Sequence, residues 1–486
     1  MDIGIVSQNT SERKSFFDRL RGDDAVGETV TFSFNFSINC KMDTLDNIAL
    51  ELKEKAMLEL AKELSIFMSK ADTHIKDSDY RKNRGYHIKD IVDRTYMTVV
   101  GDVSFSRRYY EGPDGERVYL LDEFMGISPR ERVSKNASAT LVNNSGAMSY
   151  AKAVGQTGLQ VSRQTVCNRV HSTEDVVVKV PEEKRVVDDL HIFIDEGHTK
   201  VHGDKRKVSV IVPLIVISEG IDASDPNRHV LKNPIFLGFY RQNTETMFDQ
   251  VYGVAARRYD ISRVRNIYVH SDGGNWIKGI KDVFPDYIPV MDEFHIMQHF
   301  REMRSYFVED DINILMRLVK KGMKKEFVKH FSDKFAEITD LNKKQNARST
   351  FTYFKRNWVA ITNRYKLDVC GSCTEAEVSH VLSERISRTP CAWSYVGLDK
   401  ITMIRILQAN GGMIKGENIN VTRDKEGEEK SLNTKRKEGY KDHMEYLEEE
   451  RKRFVERLKE IYMEENPIYY IDPSSPIQKL LRALTS

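Results

Sequence analysis

At 486 residues the chain is longer than one simple core organises, so two to four domains are expected. Lys+Arg 75 against Asp+Glu 73 leaves a formal net charge of +2, so bulk charge neither requires nor excludes nucleic acid, and its distribution has to decide. A hydrophobic fraction of 40%, no apolar run long enough to span a bilayer and no signal-peptide pattern lead to the expectation of a cytoplasmic protein with no membrane partner.

Taken in order, residues 1–80 read as an N-terminal helical region, although Phe32 to Ile38 alternates as an edge strand does. From Asp43 to Lys70 the positions Leu45, Ile48, Ala49, Leu52, Ala56, Leu60 and Leu64 recur at helical spacing, which predicts a long amphipathic helix. Residues 81–180 read as an α+β DNA-binding region. A turn at Gly112–Gly115 separates two extended segments and predicts a hairpin. Arg107 and Arg108, beside Tyr109 and Tyr110, pair basic with aromatic groups, as contacts to phosphates and bases require; a solvated strand is the equal alternative. Residues 149–170 then give a short helix, a glycine turn at Gly155–Gly158 and Ser162 as N-cap of a second helix. That outline is helix-turn-helix-like, with Arg163, Gln164, Thr165 and Asn168 toward a major groove, and a plain helical hairpin is its alternative.

Past the charged linker Glu182–Arg185 the pattern changes. Short buried strands are predicted at Leu190–Glu196, Lys207–Gly220 and Asn233–Arg241, then a helix through Met247–Ala255. A fourth strand covers 264–272, a glycine-started helix follows, and a fifth strand covers 287–292. Three strands, helix, strand, helix, strand is the order of an RNase H-like α/β core, a mixed five-stranded sheet, here assigned to 186–295. Asp195 closes the first strand and Asp272 the fourth, and in that order the two strands are central neighbours. Two carboxylates that close repel unless a cation sits between them, and Mg²⁺ or Mn²⁺ takes such oxygen ligands while keeping waters. Two ions suit phosphodiester chemistry.

Residues 296–370 show no strand pattern and read as a helical insertion, with Lys320, Lys321, Lys324, Lys325 and Lys329 forming a basic face. Such a face is commonly only solvated, but beside a phosphodiester site it becomes a candidate DNA contact. Residues 371–412 return to the core with a helix beginning at Thr374. It carries two candidate third acids: at a regular helical period Glu375 lies beside the Val378–Leu382–Ile386 stripe, whereas Glu377 falls away from it and fits a capping box with Thr374. Glu375 is preferred and Glu377 stays open. Residues 413–486 read as a charged helical C-terminal region with a flexible tract at Lys415–Lys437.

The five cysteines, Cys40, Cys167, Cys370, Cys373 and Cys391, are odd in number and scattered, unlike a disulfide framework. Cys370 and Cys373 have zinc-knuckle spacing without a second ligand pair, so buried or free thiols are the expectation. The histidines His198, His202, His270, His295, His299 and His380 lack the helical His-Glu-x-x-His pattern of a zinc hydrolase. His270, two residues before Asp272, is better suited to hydrogen-bond the metal carboxylates.

IDEGH (194–198), HSDGGNWIK (270–278), the D-x-x-H of Asp292 to His295, and EAEVSHVLSERISRTPCAWS (375–394) together resemble the Lre-type bacterial insertion-sequence transposases, distant relatives of Mutator-like transposases. The resemblance runs weakly from about residue 81 and strongly over 190–412. It implies a DDE triad of Asp195, Asp272 and Glu375 with an all-helical insertion before the third acid, and Asp292 and His295 lining the site beside His270. Where relatives have Gly-His before Val-Ser-His-Val, this chain has Ala376-Glu377, which weighs against Glu375. The resemblance implies Mg²⁺-dependent cutting and strand transfer on double-stranded transposon ends and target, by a homo-oligomer on DNA, nucleoid-associated when bound. The alternatives are an inactive or repurposed DNA-binding protein, or a metal-dependent nuclease that does not join.

Overall fold

A computed structural model describes residues 3–4, 31–32, 44–178, 180, 184–202, 207–225, 228–240, 242–367, 369, 374–388 and 392–420. The chain divides into two compact units, one of the N-terminal residues through 176 joined by 413–420, the other spanning 177–412.

The first unit is built on a long helix, α1 (Leu45–Asp77), which Thr44 caps by accepting the Asn47 N–H. Only its C-terminal half carries buried positions, Ala61, Met68, Ala71, Asp72 and Ile75, and these pack on the sheet. The sheet pairs β1 (His87–Thr98) with β2 (Gly101–Glu111) and then with the short β3 (Arg117–Val118), all antiparallel. The predicted turn at Gly112–Gly115 is present between β2 and β3, but the principal hairpin turns earlier, at Val99–Val100. There Gly101 takes φ +117° and its carbonyl accepts the Thr98 hydroxyl. Thr98 to Gly101 carries no asparagine-glycine or proline signal, so the pattern did not mark it.

The arginines expected to face nucleic acid are instead structural. Arg107 is 9% exposed, pairs with the buried Asp122 of α2 (Leu120–Met125) and lies over the Tyr119 ring at 3.6 Å. Arg108 pairs with buried Asp72 on α1, whose carboxylate also accepts the Arg108 N–H at 3.1 Å. Each guanidinium is committed to a carboxylate that burial would otherwise strand, so the basic-aromatic run is packing and not an exposed phosphate contact.

Next come α3 (Lys135–Ala147), α4 (Tyr150–Thr157) and α5 (Arg163–His171), each packed against the other two. Gly155 lies inside α4; Gly158, at φ +67°, ends it, and Ser162 caps α5 by accepting the Thr165 N–H. Val166 and Val170 are buried while Arg163, Gln164 and Asn168 are exposed, with Gln164 donating to Asn168 at 3.0 Å. Residues 413–420 close this unit: Asn143 exchanges two hydrogen bonds with the Ile414 backbone.

The second unit is α/β. Its mixed five-stranded sheet uses β4 (Asp189–His202), β5 (Lys207–Ser218), β8 (Ile235–Gly238), β9 (Asn266–Ser271) and β10 (Ile288–Met291), in the order β8-β5-β4-β9-β10. The first three pair antiparallel; β4, β9 and β10 run parallel. An unpredicted hairpin, β6 (Ile221–Asp225) with β7 (Arg228–Leu231), interrupts the path from β5 to β8. One sheet face buries Leu190, Ile192, Ile194, Ile215, Ile217 and Val269 against α6 (Thr244–Arg258), led by Phe248 and Val251. The segment after Asp272 is a 3-10 helix, Asn275–Asp282, not the expected α-helix.

The helical interval is α7 (Glu293–Met303), α8 (Glu309–Lys321), α9 (Lys324–Ala336), α10 (Leu341–Arg356) and α11 (Trp358–Lys366), with its own aromatic core of Phe300, Phe327, Phe331, Phe354 and Trp358. The chain then returns through α12 (Thr374–Glu377), a π-helical turn (Val378–Ser383), α13 (Glu384–Ile386) and α14 (Tyr395–Ala409). No helix among the described residues is long and apolar enough to cross a membrane. Of the expected strand at Phe32–Ile38 only Phe32 is described, in the two-residue strand Thr31–Phe32 that pairs with Ile3–Gly4; its remainder, Cys40, the Cys370–Cys373 pair, Cys391 and the C-terminal helix fall outside the described residues.

Asp122 holds two buried arginines, Arg94 at 2.6 Å and Arg107. Removing one partner of such a group strands the other charges, so Asp122→Ala should destabilise the first unit by about 3–5 kcal/mol in urea unfolding.

Candidate functional site

The site rests on strand register. Phe193 of β4 pairs with His270 of β9, and His270 pairs with Val290 of β10. Asp195, Asp272 and Asp292 each lie two residues beyond that one row, so all three sit at the same end of neighbouring parallel strands. Side chains alternate along a strand, so Asp195 shares the face of Phe193, while Asp272 and Asp292 directly follow the last residues of β9 and β10. His191, Phe193 and His270 occupy that face, with the Phe193 and His270 ring centroids 4.4 Å apart, and it is opposite to the Leu190–Ile192–Ile194 core.

Asp195 does not end its strand, as the sequence suggested. β4 runs on to His202, and what stops at Phe193 is pairing with β9. Asp195 therefore stands where β4 loses one neighbour. Its Oδ1 accepts the Glu196 N–H at 2.8 Å. Asp272 follows β9 directly, and its Oδ1 accepts the Gly274 N–H at 2.8 Å. Gly273 takes φ +84°, and a Cβ there would come within 3.0 Å of the Asn357 side chain, so only glycine fits this turn without strain. Asp292 is 5% exposed and caps α7 by accepting the Phe294 N–H at 2.9 Å. That helix-capping task accounts for its short buried position.

The returning helical segment lies across the Asp195 face. Gly197 meets Leu382 and Ile386 side chains at 3.4–3.5 Å from an added Cβ, and the Thr199 hydroxyl donates to the Ile386 carbonyl at 2.6 Å. The Glu375 side chain lies outside the described residues. Glu377 is half-buried, and burial pushes its carboxyl up, with His380 acting in the opposite direction. Residues 378–383 are π-helical, so the regular period that separated Glu375 from Glu377 does not hold across this segment.

His270 is fully buried and hydrogen-bonds His191 (Nε2 to Nδ1, 3.0 Å), so this nitrogen serves the imidazole pair and not a carboxylate. Burial holds His191 down at about 4. Burial, then His191 and Arg364, place His270 well below the ordinary histidine value. His295 sits in the first turn of α7, its ring edge-on to Phe294 at 5.5 Å. Among the described residues no three His, Cys, Asp or Glu side chains form a group able to hold a metal ion. Register sets Asp195 and Asp272 at one end of neighbouring parallel strands, and carboxylate oxygens are the ligand type that Mg²⁺ or Mn²⁺, not a soft metal, takes.

Lys320 and Lys321 end α8, Gly322 at φ +69° turns the chain, and Lys324 and Lys325 begin α9; all four are exposed. The basic cluster is thus a corner between two helices and not one helical face. Lys366 joins it, its Nζ packed over Gly322, a neighbour that sequence distance concealed.

With this geometry in view, the chain belongs to the uncharacterised protein family UPF0236, whose model matches residues 42–423. It is similar to UPF0236 proteins of Caldanaerobacter subterraneus subsp. tengcongensis. One is 27% identical over 395 residues, covering 80% of this chain and 83% of the relative. Another is 28% identical over 357 residues, covering 72% and 75%, and its name strings together eleven designations. The name of a third, 27% identical over 358 residues and covering 72% and 75%, joins four.

Both imidazoles of the pair are neutral in the fold, whereas an unfolded histidine titrates near ~6.5. Below that value the unfolded chain takes up protons that the folded chain refuses, so stability is lost as pH falls from about 6.5 toward 4 and is unaffected by the pair above it. Urea midpoints across this range should fall more steeply for the wild type than for His191→Asn.

Proposed function

We propose that this chain is a DDE transposase of an insertion sequence, cutting DNA at transposon ends and joining the freed 3′ ends to target DNA with two Mg²⁺ or Mn²⁺ ions. The observation that carries the reading is the register that sets Asp195 and Asp272 two residues past one row on neighbouring parallel strands. The sheet order, three antiparallel strands followed by two parallel ones outward from β4, supports an RNase H-like core. A relative's name that joins eleven designations in one organism is the pattern a self-copying element leaves, and supports the same reading.

Asp195 and Asp272 hold the cations, with Glu375 as the third acid and Glu377 as its alternate on the same segment. When bound, the ions neutralise phosphodiester oxygens and lower the pKa of the attacking water or 3′-hydroxyl. The protein orients the carboxylates: the Gly274 N–H fixes one oxygen of Asp272 and the Glu196 N–H one of Asp195. The stacked Phe193, His191 and His270 rings beneath them are neutral and exclude water from that side. DNA is held by the lysine corner Lys320–Lys325, and transposon ends are read by the helix-turn-helix-like pair of α4 and α5.

Purified protein with Mg²⁺ and DNA bearing the repeats that flank its own gene should cut and join. Asp195→Asn and Asp272→Asn should each lose about a thousandfold, roughly 4 kcal/mol of transition-state stabilisation. Cutting without joining would identify a nuclease, and binding without cutting, alike in all three proteins, would identify a DNA-binding relic. Arg163→Ala should weaken binding to the end repeats by about 1–3 kcal/mol in fluorescence anisotropy while leaving unrelated DNA unaffected, if its guanidinium reads a base.

A further inference from the structure

The helical interval supplies a group beside the acids that sequence spacing gives no reason to select. Tyr353 and Asn357 are one turn apart at the end of α10, the Tyr353 carbonyl accepting the Asn357 N–H at 3.0 Å, so their side chains share a face. The Asn357 side chain stands against Gly273, immediately after Asp272. That face of α10 therefore abuts the turn carrying the second acid.

The Tyr353 ring is fixed by packing. Its centroid lies 3.9 Å from that of His299, which is in turn hydrogen-bonded to Glu302 at 2.8 Å, and the edge of Phe354 closes another side. The hydroxyl oxygen is buried and has no hydrogen-bond partner among the described residues. Burial raises its pKa, and the next influences in size are the charges of Asp272 and Asp292, which places it in the field of both carboxylates. A phenol hydroxyl next to carboxylate oxygens serves as a donor, because a carboxylate accepts. A buried hydroxyl left without an acceptor is unfavourable, so its retention calls for a state in which it has one.

We propose that Tyr353 is a positioning residue of the acid site, its hydroxyl donating to the Asp272 carboxylate when that carboxylate takes up a divalent cation. The inference rests on the metal-dependent reading above. In this arrangement the Gly274 N–H and the Tyr353 hydroxyl hold Asp272 from two directions, and the helical interval sets the orientation of the second acid. Asn357 does not substitute for it, because its side chain meets the Gly273 backbone turn. Hydrogen-bond partners of metal ligands tune affinity without touching the ion, and their loss costs about 10–100-fold in metal binding.

The test is Mn²⁺ titration of the full chain, followed by the electron paramagnetic resonance of free Mn²⁺, for wild type, Asp272→Asn and Tyr353→Phe, with thermal midpoints measured without metal. The expected result is binding by the wild type, its loss in Asp272→Asn, and affinity reduced by about 10–100-fold in Tyr353→Phe with a thermal midpoint no lower than wild type. A purely packing role would lower the midpoint together with the affinity, and that outcome overturns the proposal. Equal affinity in wild type and Tyr353→Phe, with Asp272→Asn defective, overturns it while leaving the metal site standing. Absence of binding by the wild type overturns the metal-dependent reading and this inference with it.

Discussion

The arrangement of the second unit depends on one constraint, the parallel register of β4, β9 and β10. Pairing of Phe193 with His270, and of His270 with Val290, fixes which residues come next on each strand. Because side chains alternate, a one-residue slip would turn the acids to the opposite face. Two features hold the register. The apolar residues on the other face, Ile192, Ile194 and Val269 among them, are packed under α6, and the His191–His270 hydrogen bond ties β4 to β9 just below the acids. The paired imidazoles are neutral because burial makes charging them costly, so the base of the site contributes shape and a hydrogen bond without competing charge.

The helical interval is a second core, not an elaborated loop. Phe300, Phe327, Phe331, Phe354 and Trp358 pack together, which lets the segment leave the sheet after β10 and still be ordered. It is anchored where the parallel strands end. Asn363 donates to the Pro289 carbonyl at 2.8 Å, Arg364 pairs with Glu293 at 2.9 Å, and Asn357 packs on Gly273. These anchors lie on α11 and at its junction with α10, so the rest of the interval is free to present exposed lysines at the α8–α9 corner. Lys324 and Lys325 stand at a helix start, where positive charge is unfavourable, whereas Lys320 and Lys321 complement the dipole at the end of α8.

The first unit shows why composition in a short window misleads. A run of two arginines and two tyrosines on a strand is what a phosphate-binding surface looks like and also what a buried ion-pair layer looks like. Asp72 and Asp122, on separate helices, decide between them by supplying carboxylates inside the unit. By contrast Arg163, Gln164 and Asn168 meet no buried acid and remain exposed on α5.

The sequence by itself determined the order of the five sheet strands of the second unit and the position of Asp272 just past its strand, because buried strands and amphipathic helices write their periods locally. It also marked the N-cap Ser162 in the same way, through a side chain that bonds only a few residues on. Only the tertiary structure decided what depends on distant partners: that Asp195 lies within a long strand whose neighbour stops, that Arg107 and Arg108 are held in ion pairs, that a π turn follows Glu377 and breaks the regular period of the segment, and that Asn357 arrives against Gly273. Register, burial and convergence are properties of segments far apart in sequence, and the packing of both partners sets them, so neither segment carries them alone.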